Sequence, residues 1–390
     1  MGDSIRVLGT RASPRLVLLA CVMLDCTGVL AMGVVATAAQ SIVDSTGRGD
    51  GFPGLMATAF FLVGSLTALS VGPHVDRFGV RRTAIVAGSL TAGVGFPLLA
   101  LGHPMALFAG SAATGAAFSV MLPATNAILR LALPPDRLVL GVCLKQAAIP
   151  LSLLLAGEVV SLLHLGLRET FLAADAMAVV VLAAFVWATR DARVPRRAAQ
   201  ELPSASERGA WRYGVATLLA SLTAGALIGY ASITLRATGM AEALVAHVLV
   251  VGNLAGISTR VLSGFAAQHF RLTSWWPVAL MMLSGAIGTL ALCSSVPAVA
   301  GVGALIAFAL GWGWSGLTFA LVLATSRHRP GSSGALLQAG GMLGTAVGPL
   351  VMLAASHSVG MAAGWALMAG ALAGAGWLVM PTTRDRLLAP

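Results

Sequence analysis

The sequence predicts an all-α membrane protein of twelve transmembrane helices arranged as two six-helix, pseudo-symmetric bundles. Three observations carry that expectation. The 390 residues are 57% hydrophobic and only 10% charged, where soluble domains hold roughly 25% charged residues. Mean hydropathy is +0.89, so water could not cover this chain. Apolar runs of about 20 residues, the length that spans hydrocarbon, recur along the whole sequence, and one polar stretch divides them six and six.

Taken in order, the first run covers 15–43. Ala36-Thr37-Ala38 has the look of a cleavage site, but the run is too long for a signal-peptide core and Asp25 interrupts it, so it reads as a retained helix. The next runs cover 53–73, 83–102, 104–131, 139–164 and 169–190. Arg190 to Arg212 then carries six arginines, three acids and two prolines (Pro195, Pro203), the composition of a solvated connector. A regulatory or lipid-binding role is the alternative for it. The second set covers 213–236, 241–264, 275–294, 297–326, 334–356 and 359–380. The expected organisation is therefore an N-terminal bundle over 1–190, a linker over 191–212 and a C-terminal bundle over 213–390. The forty-six glycines suit close helix packing in lipid.

The formal charge of +10 does not point to nucleic acid. Of 24 Lys and Arg, 19 fall in the termini and alternate loops, three (Arg48, Arg168, Arg236) in the opposite loops, and two inside apolar runs. That is the positive-inside bias; it places both termini in the cytoplasm. The four cysteines (Cys21, Cys26, Cys143, Cys293) lie within apolar runs, with neither disulfide nor metal spacing. No phosphate-binding loop, nucleophile elbow, zinc spacing or haem motif is present. An enzyme, a metal site, a cofactor and ATP-driven transport are therefore not expected.

Between the second and third runs lies GPHVDRFGVRRT, Gly72 to Thr83. Such a charged hairpin must sit on a membrane face, and Gly72 and Gly79 permit tight turns at the helix ends. The stretch resembles the loop between helices 2 and 3 of the major facilitator superfamily, in Gly72, Asp76, Arg77, Gly79, Arg81 and Arg82. Val80 departs from it, standing where the family often has a basic residue. Gly264 to Arg271, after the eighth run, is a degraded echo that keeps the glycine and one arginine, with Gln268 and His269 between them. The resemblance implies two bundles facing a central cavity, alternating access, and a gate latched by Asp76, Arg77, Arg81 and Arg82.

Ionisable residues inside spanning segments are expensive and so are candidates for function. Lys145, the chain's only lysine, lies in LKQAAIP, about 9 Å deep counting from Val139 at 1.5 Å per residue. Arg260, in GISTRVLSG, lies about 6 Å deep counting from Gly264. Two cations on helices that face one another in the family would form a clamp for an anion, Arg260 gripping a carboxylate with two hydrogen bonds and Lys145 adding a point charge. The bland reading of Arg260 is snorkelling or capping of helix carbonyls. Helix 8 is similar to that of oxalate and monocarboxylate carriers, whose arginine binds the substrate carboxylate; Gly256 stands where the monocarboxylate carriers often have an acid.

Asp25, about 15 Å along helix 1 from Arg15, is the candidate for proton coupling; a structural hydrogen bond is the alternative. Glu158, about 20 Å from Lys145 along the same helix, is a second coupling candidate. Gln146, Asn126, Gln338 and Tyr230 could hydrogen-bond a ligand, although interhelical bonding explains such groups equally well. Trp312 and Trp314 could wall a cavity, and GMLGTAVGPL (341–350) reads as a glycine-proline hinge.

The expected function is secondary active transport of a small organic solute, an organic anion such as a monocarboxylate, with possible proton coupling, across a bacterial cytoplasmic membrane. The protein is expected to act as a monomer among membrane lipids. Drug or metabolite efflux by proton antiport is the alternative. It is disfavoured because the helix-5 G-P-x-x-G-G pattern of antiporters and the helix-4 arginine of proton-coupled exporters are both missing. A receptor without flux is the third reading.

Overall fold

A computed structural model describes residues 13–49, 51–163, 165–190, 210–270, 274–325 and 330–381. Every secondary-structure element among the described residues is helical. The long ones are α1 (Pro14–Thr37), α2 (Phe52–Val71), α3 (Val80–Ala100), α4 (Pro104–Ala132), α5 (Pro135–Leu163) and α6 (Leu167–Ala188). They continue as α7 (Ala210–Ala237), α8 (Glu242–His269), α9 (Trp276–Ala291), α10 (Pro297–Ala324), α11 (Pro330–Ser358) and α12 (Met361–Val379). Ten helices among the described residues are long and apolar enough to cross a membrane, as a multi-pass membrane protein requires. The outer surface agrees: Leu66, Val86, Leu101, Val180, Ile287 and Trp377 are exposed, and lipid is a solvent that accepts such residues.

Proline opens many of these helices, as at Pro14, Pro104, Pro135 and Pro297, where its missing N–H costs nothing and its fixed φ suits the first turn. α1 is shorter than expected. It ends at Thr37, and after Ala38 a separate helix runs over Ala39–Thr46 with Ile42 as its only buried side chain; polar Gln40, Ser41 and Asp44 cannot continue a span. Two helices are longer than expected. α5 starts at Pro135, and α8 runs on to His269, so the expected loop at Gly264 is helix as far as that residue; Arg271 lies outside the described residues.

Gly79 carries a φ of +92° between the short Val75–Phe78 turn and α3, a conformation that glycine alone adopts cheaply. Gly72 serves differently from the turn expected of it. Its backbone is ordinary right-handed helix, and a Cβ there would collide with Ala335 of α11. Residues 341–350 are likewise not a loose hinge. Gly340, Gly344 and Gly348, one turn apart on α11, lie so close to α7 that a Cβ on each would strike the carbonyl oxygens of Gly214, Leu218 and Leu222. The two backbones are welded side by side by small residues.

Contacts cross between the first six helices and the rest at α2–α11, α4–α11, α5–α8 and α5–α10. At the end of the molecule that carries Gly72, these contacts are tight. Gly264 presses on Cys143, and a guanidinium nitrogen of Arg130 on α4 donates to the Leu323 carbonyl of α10. Ser65 Oγ of α2 donates to the Ala339 carbonyl of α11 at 2.9 Å.

Candidate functional site: a buried arginine on a central cavity

Arg260 is placed by two features of its neighbourhood. Gly252 and Gly256 lie one turn apart on α8 and let it close on Phe308 of α10, where a Cβ at Gly256 would come within 2.8 Å of the Phe308 carbonyl. α10 itself changes pitch. It passes through a π-helical turn at Ala307–Gly311 and leaves the helix at Trp312 before resuming at Ser315. Such a break frees carbonyls that a regular helix would consume. Trp314 Nε1 donates to the Gly311 carbonyl at 2.8 Å, and Arg260 Nη2 donates to the Trp312 carbonyl at 2.8 Å. The guanidinium also donates from Nε to Ser315 Oγ and from Nη1 to the Gly256 carbonyl, both at 3.0 Å, and lies over the Trp312 ring at 5.2 Å.

A guanidinium has five N–H donors, so two are left for another partner. Among the described residues no carboxylate pairs with Arg260, although it is 2% exposed. A buried cation without a counter-ion is costly, and here the guanidinium is held by the Ser315 hydroxyl and the Gly256 and Trp312 carbonyls. Snorkelling does not describe it. Counted from the end of α8 at His269, nine residues away, Arg260 is about 14 Å deep, because the helix is longer than the sequence suggested.

The cavity that Arg260 lines has a volume of about 130 Å³, and Gln146, Ser221, Trp312, Trp314 and Gln338 line it too. Among the described residues, no aspartate or glutamate lines it. Gln146 Nε2 is buried without a hydrogen-bond partner among the described residues. A larger cavity of about 410 Å³ shares Phe61, Pro150, Ile228 and Trp312 with the first and extends to Thr37, Pro53 and Gly54. The path from Arg260 therefore leads toward the Gly51 end, while at the Gly72 end the described helices are in close contact.

Lys145 is not on this wall. Its Nζ lies 2.6 Å from Asp25 Oδ2 and donates to Thr125 Oγ1 at 2.6 Å and to the Leu122 carbonyl at 3.1 Å. Thr125 Oγ1 in turn donates to Asp25 Oδ1 at 2.9 Å. The expected pairing of Lys145 with Arg260 about one anion is thus replaced by a closed ion pair joining α1, α4 and α5, with both charged side chains buried. Helix register is the reason. From Pro14, Asp25 is about 16 Å deep, and from Pro135, Lys145 is about 15 Å deep; two opposite charges at one level in a dry interior find each other. Leu122, whose carbonyl accepts from Lys145, lines the cavity, so the pair sits one layer behind the cavity wall.

Of the other expected residues, Gln146 and Gln338 line the cavity with Arg260, whereas Asn126 and Tyr230 do not. Asn126 is buried with Oδ1 unpartnered among the described residues, and Tyr230 packs beside a hydrophobic cluster of α7 and its neighbours. The side chains of Glu158 and Asp76 lie outside the described residues, as does 191–209 of the linker. Arg77 and Arg82 are exposed. Arg81 ties α3 to the end of α6, donating from Nε to Thr189 Oγ1 at 3.1 Å and from Nη2 to the Val186 carbonyl at 3.0 Å. Sequence reasoning missed Thr125, Ser315 and Ser65, for which a lone hydroxyl in an apolar run gives no signal. The Gly-Trp-Gly-Trp run was legible as a cavity wall but not as a helix break.

The family model described as Major Facilitator Superfamily matches residues 18–280. No curated protein matches the sequence. Solved structures do match in fold. The human organic anion transporter MFSD10 (TETRAN) superposes with a TM-score of 0.75 at 16% identity, over 94% of this chain and 99% of that one. The proton:xylose symporter XylE bound to 6-bromo-6-deoxy-D-glucose gives 0.75 at 14% identity, over 93% and 94%. The E. coli fucose:proton symporter FucP gives 0.66 at 13% identity, over 94% and 97%.

Proposed function

This chain belongs to the major facilitator superfamily and is a transporter, not an enzyme, and we propose that it carries a small organic anion, such as a monocarboxylate, by secondary active transport. The single observation behind this reading is Arg260: buried, without a carboxylate partner among the described residues, and with donors to spare on a cavity that no acid lines. An anion supplies the missing counter-charge. A cationic drug would meet Arg260 with nothing among the described lining residues to offset the repulsion. One of the fold neighbours, MFSD10, is an organic anion transporter, a parallel and no more at that identity.

In this proposal the bundles 1–190 and 213–390, six helices each, rock about the cavity as a monomer in a bacterial cytoplasmic membrane, with both termini in the cytoplasm. The Gly72–Arg82 stretch, Asp76 included, forms the cytoplasmic latch together with α11. Arg260, Gln146 and Gln338 bind the solute.

Asp25 is the proposed proton site. While it is ionised, Lys145 is neutralised and adds nothing to the cavity. When Asp25 takes a proton, Lys145 becomes an uncompensated cation one layer behind Leu122, and an anion in the cavity is bound more strongly. By linkage, the anion favours the protonated form equally, so proton and anion travel together. Counterflow in proteoliposomes tests the function. Internal unlabelled monocarboxylate should drive accumulation of labelled monocarboxylate in wild type and not in Arg260→Gln; exchange of lipophilic cations instead, indifferent to Arg260→Gln, would support efflux.

A further inference from the structure

Thr125 of α4 has more partners than one hydroxyl can serve at once. Its Oγ1 accepts from Lys145 Nζ at 2.6 Å. It also lies within donating distance of four acceptors: Asp25 Oδ1 at 2.9 Å, Asp25 Oδ2 at 3.1 Å, and the Met121 and Leu122 carbonyls, each at 3.0 Å. A hydroxyl carries a single donor proton, so these acceptors compete for it. A threonine in a spanning helix ordinarily turns that proton to a carbonyl one turn back, as Thr91 and Thr114 do here. Thr125 has the further choice of a carboxylate, and it is fully buried. The titratable and charged groups around it are Asp25, Cys21 and Cys26 of α1 and Lys145 of α5. Arg130, farther along α4, and Arg81 of α3 are turned to carbonyls of α10 and α6. The other helices packed on α4, namely α2, α10 and α11, contain no acid, lysine or arginine, and His357 lies at the far end of α11.

We infer that Thr125 is the positioning residue of the proton site: its hydroxyl turns between Asp25 and the α4 carbonyls as Asp25 loses or gains a proton, and so sets the pH at which that proton leaves. While Asp25 is ionised, the Thr125 proton points to the carboxylate, because a charged acceptor holds a hydrogen bond about twice as strongly as a neutral one. When Asp25 is protonated, its own O–H becomes a donor, and the Thr125 proton turns to Met121 or Leu122 with no heavy atom displaced. Thr125 keeps its proton throughout and passes none on. Its Oγ1 accepts from Lys145 in both states, so that bond cancels and the ammonium stays anchored. The balance favours the ionised form, which a fully buried carboxyl needs if it is to release its proton. This inference rests on the reading of Asp25 as the proton site and adds to it the residue that tunes it.

The test is a pH titration of the purified full-length protein followed by infrared difference spectroscopy, which reads the carbonyl stretch of a protonated carboxyl and requires no substrate. The Asp25 band is the one absent from the double variant Asp25→Leu with Lys145→Met. Wild type is compared with Thr125→Val, which keeps the shape and removes the hydroxyl, with Thr125→Ala, and with Thr125→Ser, which keeps the hydroxyl. In Thr125→Val and Thr125→Ala the band should appear at a pH about one unit higher than in wild type, the difference between a charged and a neutral acceptor. Thr125→Ser should titrate like wild type. A merely structural threonine would lower the unfolding temperature on removal and leave the midpoint in place. An unmoved midpoint, one moved to lower pH, or a shift that Thr125→Ser shares would overturn the inference and leave Asp25 as the proton site. No Asp25-dependent band at any pH at which the protein stays folded would overturn both.

Discussion

The Lys145 ammonium lies 2.6 Å from the Asp25 carboxylate, and the Thr125 hydroxyl bridges them, accepting from one and donating to the other. Three helices are tied at one point by a pair of buried charges. Breaking a buried pair from one side leaves the other charge stranded, typically at ~3–5 kcal/mol, while replacing both partners with apolar groups is often close to neutral.

Asp25→Ala and Lys145→Ala should therefore each lower the unfolding temperature sharply, and Asp25→Leu with Lys145→Met together should recover most of the loss. Thermal unfolding of the purified proteins measures this. A double variant as unstable as the sum of the singles would mean that the two side chains are not coupled. If the pair is the proton site, the double variant should still exchange substrate across vesicles but should no longer accumulate it when a proton gradient is imposed.

At the Gly72 end, Cys143 is fully buried against Gly264 where α5 meets α8. Alternating access must part these helices. In a variant keeping Cys143 alone, with alanine at Cys21, Cys26 and Cys293, N-ethylmaleimide should label slowly in this state and faster when turnover begins. Labelling at one rate under all conditions would count against opening at this end.

Ser65→Ala removes the hydrogen bond from α2 to the Ala339 carbonyl, worth about 1 kcal/mol. The equilibrium should shift toward the form open at the Gly72 end by about fivefold. The same Cys143 labelling rate reads the shift. Gly72→Leu should push further in that direction, since any side chain there meets Ala335.

The α7–α11 weld yields a contrast between two glycines. Gly344→Val places atoms into the Leu218 carbonyl and should be destabilising, in the range of overpacked interiors, ~1–3 kcal/mol or more. Gly370→Ala on α12 meets open space and should be neutral or slightly stabilising, since alanine favours helix by up to ~1 kcal/mol. Melting temperatures of the two variants decide it.

Much of this was legible in the sequence, because lipid imposes one strong rule: apolar segments of spanning length must be helices. The charged stretch at Gly72 and the isolated Lys145, Arg260 and Asp25 stood out for the same reason. What misled was helix length. Starting α5 at Val139 rather than Pro135, and ending α8 at Gly264 rather than His269, made both cations look shallow. Corrected, Lys145 falls level with Asp25 and Arg260 moves into the interior. The partners of Arg260 were hidden for another reason: they include a main-chain carbonyl of α10, released by a break in the helix rather than by residue type. No spacing rule reports on a carbonyl.

Titration of a short oxygenated monocarboxylate, lactate, against purified wild type and Arg260→Gln, with a lipophilic cation in parallel, bears most directly on the central claim. If Arg260 is the anion site, lactate raises the unfolding temperature of wild type in a saturable way, Arg260→Gln folds but shows no such rise, and the cation stabilises neither. Saturable stabilisation by the cation, equal in both proteins, with none by lactate or other carboxylates, would contradict it.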